Sequence, residues 1–201
     1  MKNVVRMIAV VVSLCAAGAA GAADNKADSF PIDRVMGKAD APITIIEYAS
    51  TTCGHCADLH TKVLPKIKAD WIDTGKAKLI YRDFPTGPAH LSIGASMIAH
   101  CAGPDRYFPV LGLIMENQEK WMGAANPLDG LKKLVRLAGM TGEDVDACLG
   151  RQDLATAVQE RARAGNVLYG VNVTPTLIIN GTKVQGANPD EIEKALKAAA
   201  K

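Results

Sequence analysis

The chain of 201 residues is poor in aromatic side chains, which make up 4% of it. An aromatic-rich core is excluded, so packing has to rest on Ile, Leu, Val, Ala and Met. Net charge is also small, +2 at neutral pH, and no stripe of Lys and Arg gives the electrostatic footprint of a nucleic-acid binder. Beyond the first two dozen residues no apolar run is long enough to suggest a membrane span. There is no internal repeat, and no low-complexity tract outside an Ala-rich start. What remains is ordinary for a globular chain, with 48% apolar and 22% charged residues. The length suffices for one domain with a core of its own and room for an insertion.

The start reads as a targeting segment. Lys2 and Arg6 supply positive charge, Met7 to Leu14 is too short to cross a bilayer, and Ala20-Gly21-Ala22 fits a small-x-small cleavage pattern. Residues 1–22 are expected to be a secretory signal peptide, with an uncleaved anchor as the alternative. Cys15 falls inside it and is read as a passenger, because Leu14 stands where a lipoprotein site needs a small residue. Residues 23–32 read as a flexible tail. Without residues 1–22, basic and acidic residues balance, and four cysteines remain: Cys53, Cys56, Cys101 and Cys148. An even count in an exported chain points to two disulfides.

Ile43 to Ala49 (ITIIEYA) is β-branched and almost wholly apolar, as a strand buried on both faces would be. It runs into Cys53-Gly54-His55-Cys56 and then a helical stretch to about Asp73, with Leu59, Val63, Leu64 and Ile67 on one face. Pro65 should kink that helix. Ala77 to Phe84 reads as a second strand, parallel to the first. From about His90 to Gly170 nearly everything reads as helix, with breaks at Gly103-Pro104, Asn126-Pro127, Gly139 to Gly142 and Gly150. Leu154, Val158, Ala162, Gly165 and Leu168/Tyr169 mark an apolar helical stripe, and Thr141 heads a capped helix start. Thr176 to Ile179 and Thr182 to Gln185 flank Asn180-Gly181, a strong hairpin signal. Pro189 to Ala200 closes as a helix.

The sharpest chemical signal is Cys53 and Cys56, three apart at a helix start. The first sulfur meets unpaired backbone N–H groups and the positive dipole end, which favour a thiolate and lower its pKa. His55 can donate a hydrogen bond to that sulfur. A stabilised thiolate makes the disulfide more oxidising. Cys56, one turn deeper, suits the resolving thiol. Such a pair can also be half of a zinc site, but no second one exists here. Glu47, in an otherwise apolar strand, is costly unless neutral or paired, and would suit a proton relay to Cys56; the alternative is that it reaches the surface. Thr174-Pro175 before a strand is a candidate cis bond, although an ordinary trans proline is the base-rate reading. In the cis form it would set the Thr174 backbone beside Cys53, where an extended substrate could pair by strand addition. His60, His90 and His100 lack metal-ligand spacing and read as surface or cap residues. Trp71, Trp121 and Met122 read as core or groove lining.

The run EYASTTCGHC, the helical block, the segment VNVTPTLIING and the closing helix resemble the DsbA family of periplasmic disulfide oxidoreductases, over about Ile32 to Ala200. The resemblance implies an α/β thioredoxin-like fold split by a helical insertion: residues 23–89 as its N-terminal half, 90–170 as the insertion and 171–201 as its C-terminal half. It implies that Cys53 is the nucleophile, Cys56 the resolving cysteine, His55 the dipeptide histidine, Pro175 the cis-proline preceded by Thr174, and Glu47 the buried glutamate. Gly54 departs from the family's proline, and CGHC also occurs in disulfide isomerases, which leaves oxidation against isomerisation open. The implied function is donation of the Cys53–Cys56 disulfide to reduced or unfolded exported proteins in the periplasm. It needs no cofactor, metal or nucleic acid, and involves a monomer and a membrane partner that reoxidises it. A disulfide isomerase or reductase, a copper- or zinc-binding module and a holdase are the alternatives. Some relatives carry an extra cysteine pair, and Cys101 with Cys148 would then be a structural disulfide worth roughly 4 kcal/mol by chain entropy. A second redox pair or two free thiols are the rival readings.

Overall fold

The computed structural model describes residues 33–201. The expected signal peptide at 1–22 and tail at 23–32 lie outside them. Five strands form one mixed sheet in the order β1-β3-β2-β4-β5. The apolar run becomes its middle strand, β2 (Ile43–Ala49), which is parallel to β3 (Ala77–Asp83) with Glu47 opposite Tyr81. On its other side β4 (Thr176–Ile179) runs antiparallel, and β5 (Thr182–Gln185) pairs with β4. The Asn-Gly turn between them has Asn180 at φ 43° and Gly181 at φ 87°, the left-handed pair that a tight hairpin requires. A fifth strand, β1 (Arg34–Met36), lies antiparallel on the edge of β3 without any signal in the sequence. Three residues at a sheet edge carry no period to read.

One face of the sheet offers Ile43, Ile45, Leu79, Leu177 and Ile179. Against it pack the helix that follows Cys53, through Leu59, Leu64, Ile67 and Trp71, and the closing helix α9 (Pro189–Ala199), through Ile192 and Leu196. The first of these helices does not simply kink at Pro65. It runs as α1 (Gly54–Asp58), a π-turn over Leu59–Val63, α2 (Leu64–Ile67) and a second π-turn over Lys68–Ile72. Pro65 has no N–H and its ring crowds the carbonyl four residues back. The turn before it widens, so that the Leu64 N–H reaches the Leu59 carbonyl and the chain stays helical.

Between β3 and β4 the chain makes six α-helices: α3 (Ala89–Cys101), α4 (Tyr107–Glu116), α5 (Gln118–Met122), α6 (Pro127–Val135), α7 (Gly142–Leu149) and α8 (Gln152–Tyr169). Thr141 caps α7 in a reciprocal box with Asp144, and Asn126 caps α6 ahead of Pro127. Helices α3 to α7 share a buried cluster of Ile98, Val110, Leu111, Ile114, Trp121, Leu131, Val135 and Val145 that also reaches Ala49 and Cys56 on the sheet side. Cys101 and Cys148 are joined by a disulfide that ties α3 to α7. The buried face of α8 is Leu154, Val158, Arg161 and Gly165, while Leu168 is exposed, so the expected apolar stripe is corrected by a charged residue in its middle. Gly165 lies against Tyr48 of β2. A Cβ there would come within 2.3 Å of the Tyr48 ring, so only glycine lets α8 seat on the sheet. The arrangement is the thioredoxin-like fold with an all-helical insertion.

Candidate active site

Cys53 and Cys56 lie where β2 ends and α1 begins. Cys53 is the N-cap, extended at φ −89° and ψ 119°. Its carbonyl accepts the N–H groups of Cys56 and Ala57, both at 3.1 Å. Cys53 is half-buried and Cys56 fully buried, and both are free thiols. The Cys53 thiol is lowered from its ordinary value of 9.0 to about 5. The largest cause is a hydrogen bond from the Cys56 side chain. Burial opposes it, and Thr174 and the backbone N–H groups of Cys56 and His55 add to it. The neighbouring thiol contributes more than the individual backbone N–H groups of the helix opening. Burial pushes the Cys56 thiol far up, and its hydrogen bond to Cys53 raises it further.

The His55 side chain is exposed, and its help to the sulfur comes through its backbone N–H. The imidazole makes no hydrogen bond to Cys53 among the described residues. The Thr174–Pro175 bond is cis, and the Thr174 carbonyl oxygen sits 3.4 Å from the Cys53 sulfur. Gly54 is exposed, with nothing within 4 Å of where a Cβ would stand.

Glu47 is fully buried in β2. Its Oε1 is 2.9 Å from His60 Nε2, and Oε2 has no partner. His60 lies four residues beyond Cys56 on the same helix, with its side chain only 6% exposed. Its reading as a surface residue is corrected, and the same holds for His100, buried 3.0 Å from Asp83. Both partners are distant in sequence, so no local pattern could have exposed them.

Two further residues escaped the sequence reading. Ser50 donates its N–H to the Cys56 sulfur at 3.5 Å, and its hydroxyl bonds those of Thr52, Ser92 and Thr86, knitting the loop before Cys53 to α3. Gln118, at the start of α5, donates its side-chain amide to the Thr51 and Cys53 carbonyls at 2.8 and 3.1 Å. No cluster of three or more His, Cys, Asp or Glu side chains that could hold a metal occurs among the described residues, and none of their helices is long and apolar enough to cross a membrane.

The family model described as thioredoxin matches residues 29–198. A putative protein-disulfide oxidoreductase of Rickettsia bellii is 28% identical over 168 residues, covering 83% of this chain and 64% of that protein. Disulfide bond formation protein D of Bacillus subtilis is 25% identical, covering 81% of this chain and 75% of that one. The chain thus spans under two thirds of the length of the Rickettsia relative. The crystal structure of alpha-DsbA1 from Wolbachia pipientis superposes with a TM-score of 0.77 at 25% identity, covering 86% of this chain and 92% of that one. BdbD of Bacillus subtilis, oxidised, gives 0.72 at 24% identity over 86% of this chain and 95% of its own, a likeness of fold. With the cysteine pair at the opening of α1, the cis-proline beside it and six helices set between β3 and β4, the chain belongs to the thioredoxin family as a DsbA-like member.

Proposed function

We propose that this protein oxidises dithiols in reduced or unfolded exported proteins by handing over a Cys53–Cys56 disulfide. The observation that carries the reading is the contrast between the two sulfurs: Cys53, half-exposed and held as a thiolate down to about pH 5, against Cys56, buried beside it and driven toward the protonated form. A substrate thiolate attacks the Cys53 sulfur, the Cys53–Cys56 bond breaks, and Cys56 leaves and takes up a proton. A second substrate thiolate then attacks the substrate sulfur of the mixed disulfide. The substrate's own disulfide forms, Cys53 departs as thiolate, and two electrons have passed to the cysteine pair. Because the reduced pair is the comfortable state, the oxidised pair is a strong oxidant.

The cis bond before Pro175 presents the Thr174 carbonyl to Cys53, and an extended substrate pairs there through its backbone, a mode that asks little of its side chains. Glu47 exchanges a proton with Cys56. The Cys101–Cys148 bond stabilises the helical insertion. The basic, apolar and small-residue pattern of residues 1–22 supports export to the periplasm; the protein acts there as a monomer, and a membrane partner takes the electrons and restores the disulfide. The test is the reduction potential of the purified protein against glutathione. A value near −120 mV, with oxidation of a reduced substrate abolished by Cys53→Ser, is expected; a value near −270 mV would make the protein a reductase or isomerase.

A further inference from the structure

We propose that Gln118 is a positioning residue of the redox site: its side-chain amide, delivered by the inserted helices, pins the Thr51 and Cys53 carbonyls and so holds the first turn of α1 against the Cys53 sulfur. The inference rests on the redox reading of Cys53 and extends it to a residue 65 positions away.

The local chain is built to aim this side chain. The run of helix from Tyr107 stops at Asn117, whose backbone leaves the helical region at φ −111° and ψ 19°. The Asn117 side chain bonds the Leu113 carbonyl at 2.9 Å, closing the old helix. Its own carbonyl accepts the Lys120 and Trp121 N–H groups at 3.0 and 3.1 Å, opening the new one. Trp121, 2% exposed and bonded to the Ile114 carbonyl, anchors the short α5 in the core. Gln118, 7% exposed, is left facing the loop between β2 and α1.

What it meets there is two carbonyls. Among the described residues Gln118 is the donor that reaches the buried Thr51 carbonyl. The Cys53 carbonyl already receives the Cys56 and Ala57 N–H groups, and the amide of Gln118 makes a third donor. A donor on that oxygen polarises the peptide it belongs to, and hydrogen bonds in such chains strengthen one another. It also fixes the angle at which the N-cap enters α1, and with it the aim of the His55 and Cys56 N–H groups at the sulfur. The helical insertion, already packed on the sheet through a shared core, thereby also acts on the thiolate.

The experiment is thiolate absorbance against pH in wild type and in Gln118→Met, which keeps the side-chain length and removes the donor. The midpoint of Cys53 is expected to rise by about one unit, a tenfold loss of thiolate preference, and the reduction potential to fall by about 30 mV, the equivalent of tenfold for a two-electron couple. Should Gln118→Met fail to fold, Gln118→Asn, too short by one methylene to span both carbonyls, gives the same readout. The midpoint is the deciding measurement because a merely structural role would lower the denaturant midpoint of the oxidised protein and leave the titration alone. A midpoint within about 0.2 units of wild type overturns the inference, while an ordinary thiol at position 53 in the wild type, near 8.5, overturns the redox reading instead.

Discussion

Glu47 and Asp83 lie on neighbouring parallel strands, both are fully buried, and each touches an imidazole, His60 at 2.9 Å and His100 at 3.0 Å. They differ in what else is present. Asp83 also receives Arg161 from α8 at 3.0 Å. Arg161 lies near Asp33, and Asp33 in turn accepts Arg82, which also bonds the Tyr48 hydroxyl. Burial alone would raise the Asp83 carboxyl, but the bond from His100 and the charge of Arg161 hold it below the ordinary carboxylate range. Glu47 has no lysine or arginine in contact among the described residues, and its second oxygen is unpartnered. A guanidinium does not give up its proton, so a carboxylate tied to one is fixed as an anion. The comparison assigns Asp83 to holding the insertion on the sheet, whereas the charge of Glu47 bears on the Cys56 thiol and helps to raise it.

The largest effect should come from breaking the fixed pair. Arg161→Leu strands Asp83, and Asp83→Asn leaves a buried guanidinium short of its anion. Each should cost about 3–5 kcal/mol, roughly 10 °C in Tm for a chain of this size, measured by thermal unfolding of the oxidised protein. Because the folded-state carboxyl is depressed, the stability Asp83 contributes is present above its unfolded value near 3.8 and is lost as pH falls below that. Asp83→Asn should therefore flatten the acid limb of the stability curve. Glu47→Gln keeps a hydrogen-bond partner for His60 and strands no guanidinium, so it should cost under about 1.5 kcal/mol. Equal losses at the two sites would erase the distinction.

Function should reverse that ranking. On the redox reading, Glu47→Gln slows attack of Cys56 on a mixed disulfide at Cys53 by about 100-fold at neutral pH, the ordinary scale of a lost acid–base partner. Stopped-flow mixing with oxidised glutathione measures it. The control is Asp33→Asn, which loosens the Arg82 and Arg161 contacts and, folded, should leave that rate within about threefold. A slow Asp33→Asn would mean that proton transfer depends on the fixed network after all.

What could be read from sequence divides along the same line. β2 was legible because seven consecutive residues are suited to burial on both faces, the hairpin because Asn180-Gly181 needs no context, and the cysteine pair because its spacing is the chemistry. The imidazole partners were not, since His60 and Glu47 are 13 residues apart and His100 and Asp83 17, joined only when strands and helices pack. Arg161 sits on the stripe of Leu154, Val158 and Gly165, where helical period asks for an apolar residue. A charge there reads as the solvent side unless its partner on β3 is known. Gln118 failed for the same reason, because the loop it serves lies 65 residues earlier. β1 was too short for any period, and the π-turns around Pro65 are a relief of crowding that composition does not announce.

The finest distinction is in the pH dependence of the reduction potential. Reduction puts two electrons on the pair. Below about pH 5 both thiols are protonated in the product, so two protons follow and the potential should fall by about 60 mV per pH unit. Above that point Cys53 stays a thiolate while Cys56, pushed far up by burial, keeps its proton, and the slope should halve to about 30 mV. The same group makes the reduced form gain stability on the oxidised one as pH rises from about 5 toward its unfolded value of 9.0, because a depressed folded-state thiol loses its advantage only as pH falls through the lower value. A break near 8.5 would mean an ordinary thiol. A single break at 5 with a clean half-slope above it means that no other group changes protonation with redox state. If Glu47 takes or gives a proton when the disulfide opens, the upper limb departs from 30 mV over the range where that happens. Glu47→Gln then restores the half-slope and Asp83→Asn does not, since a carboxylate locked to Arg161 has no proton to exchange.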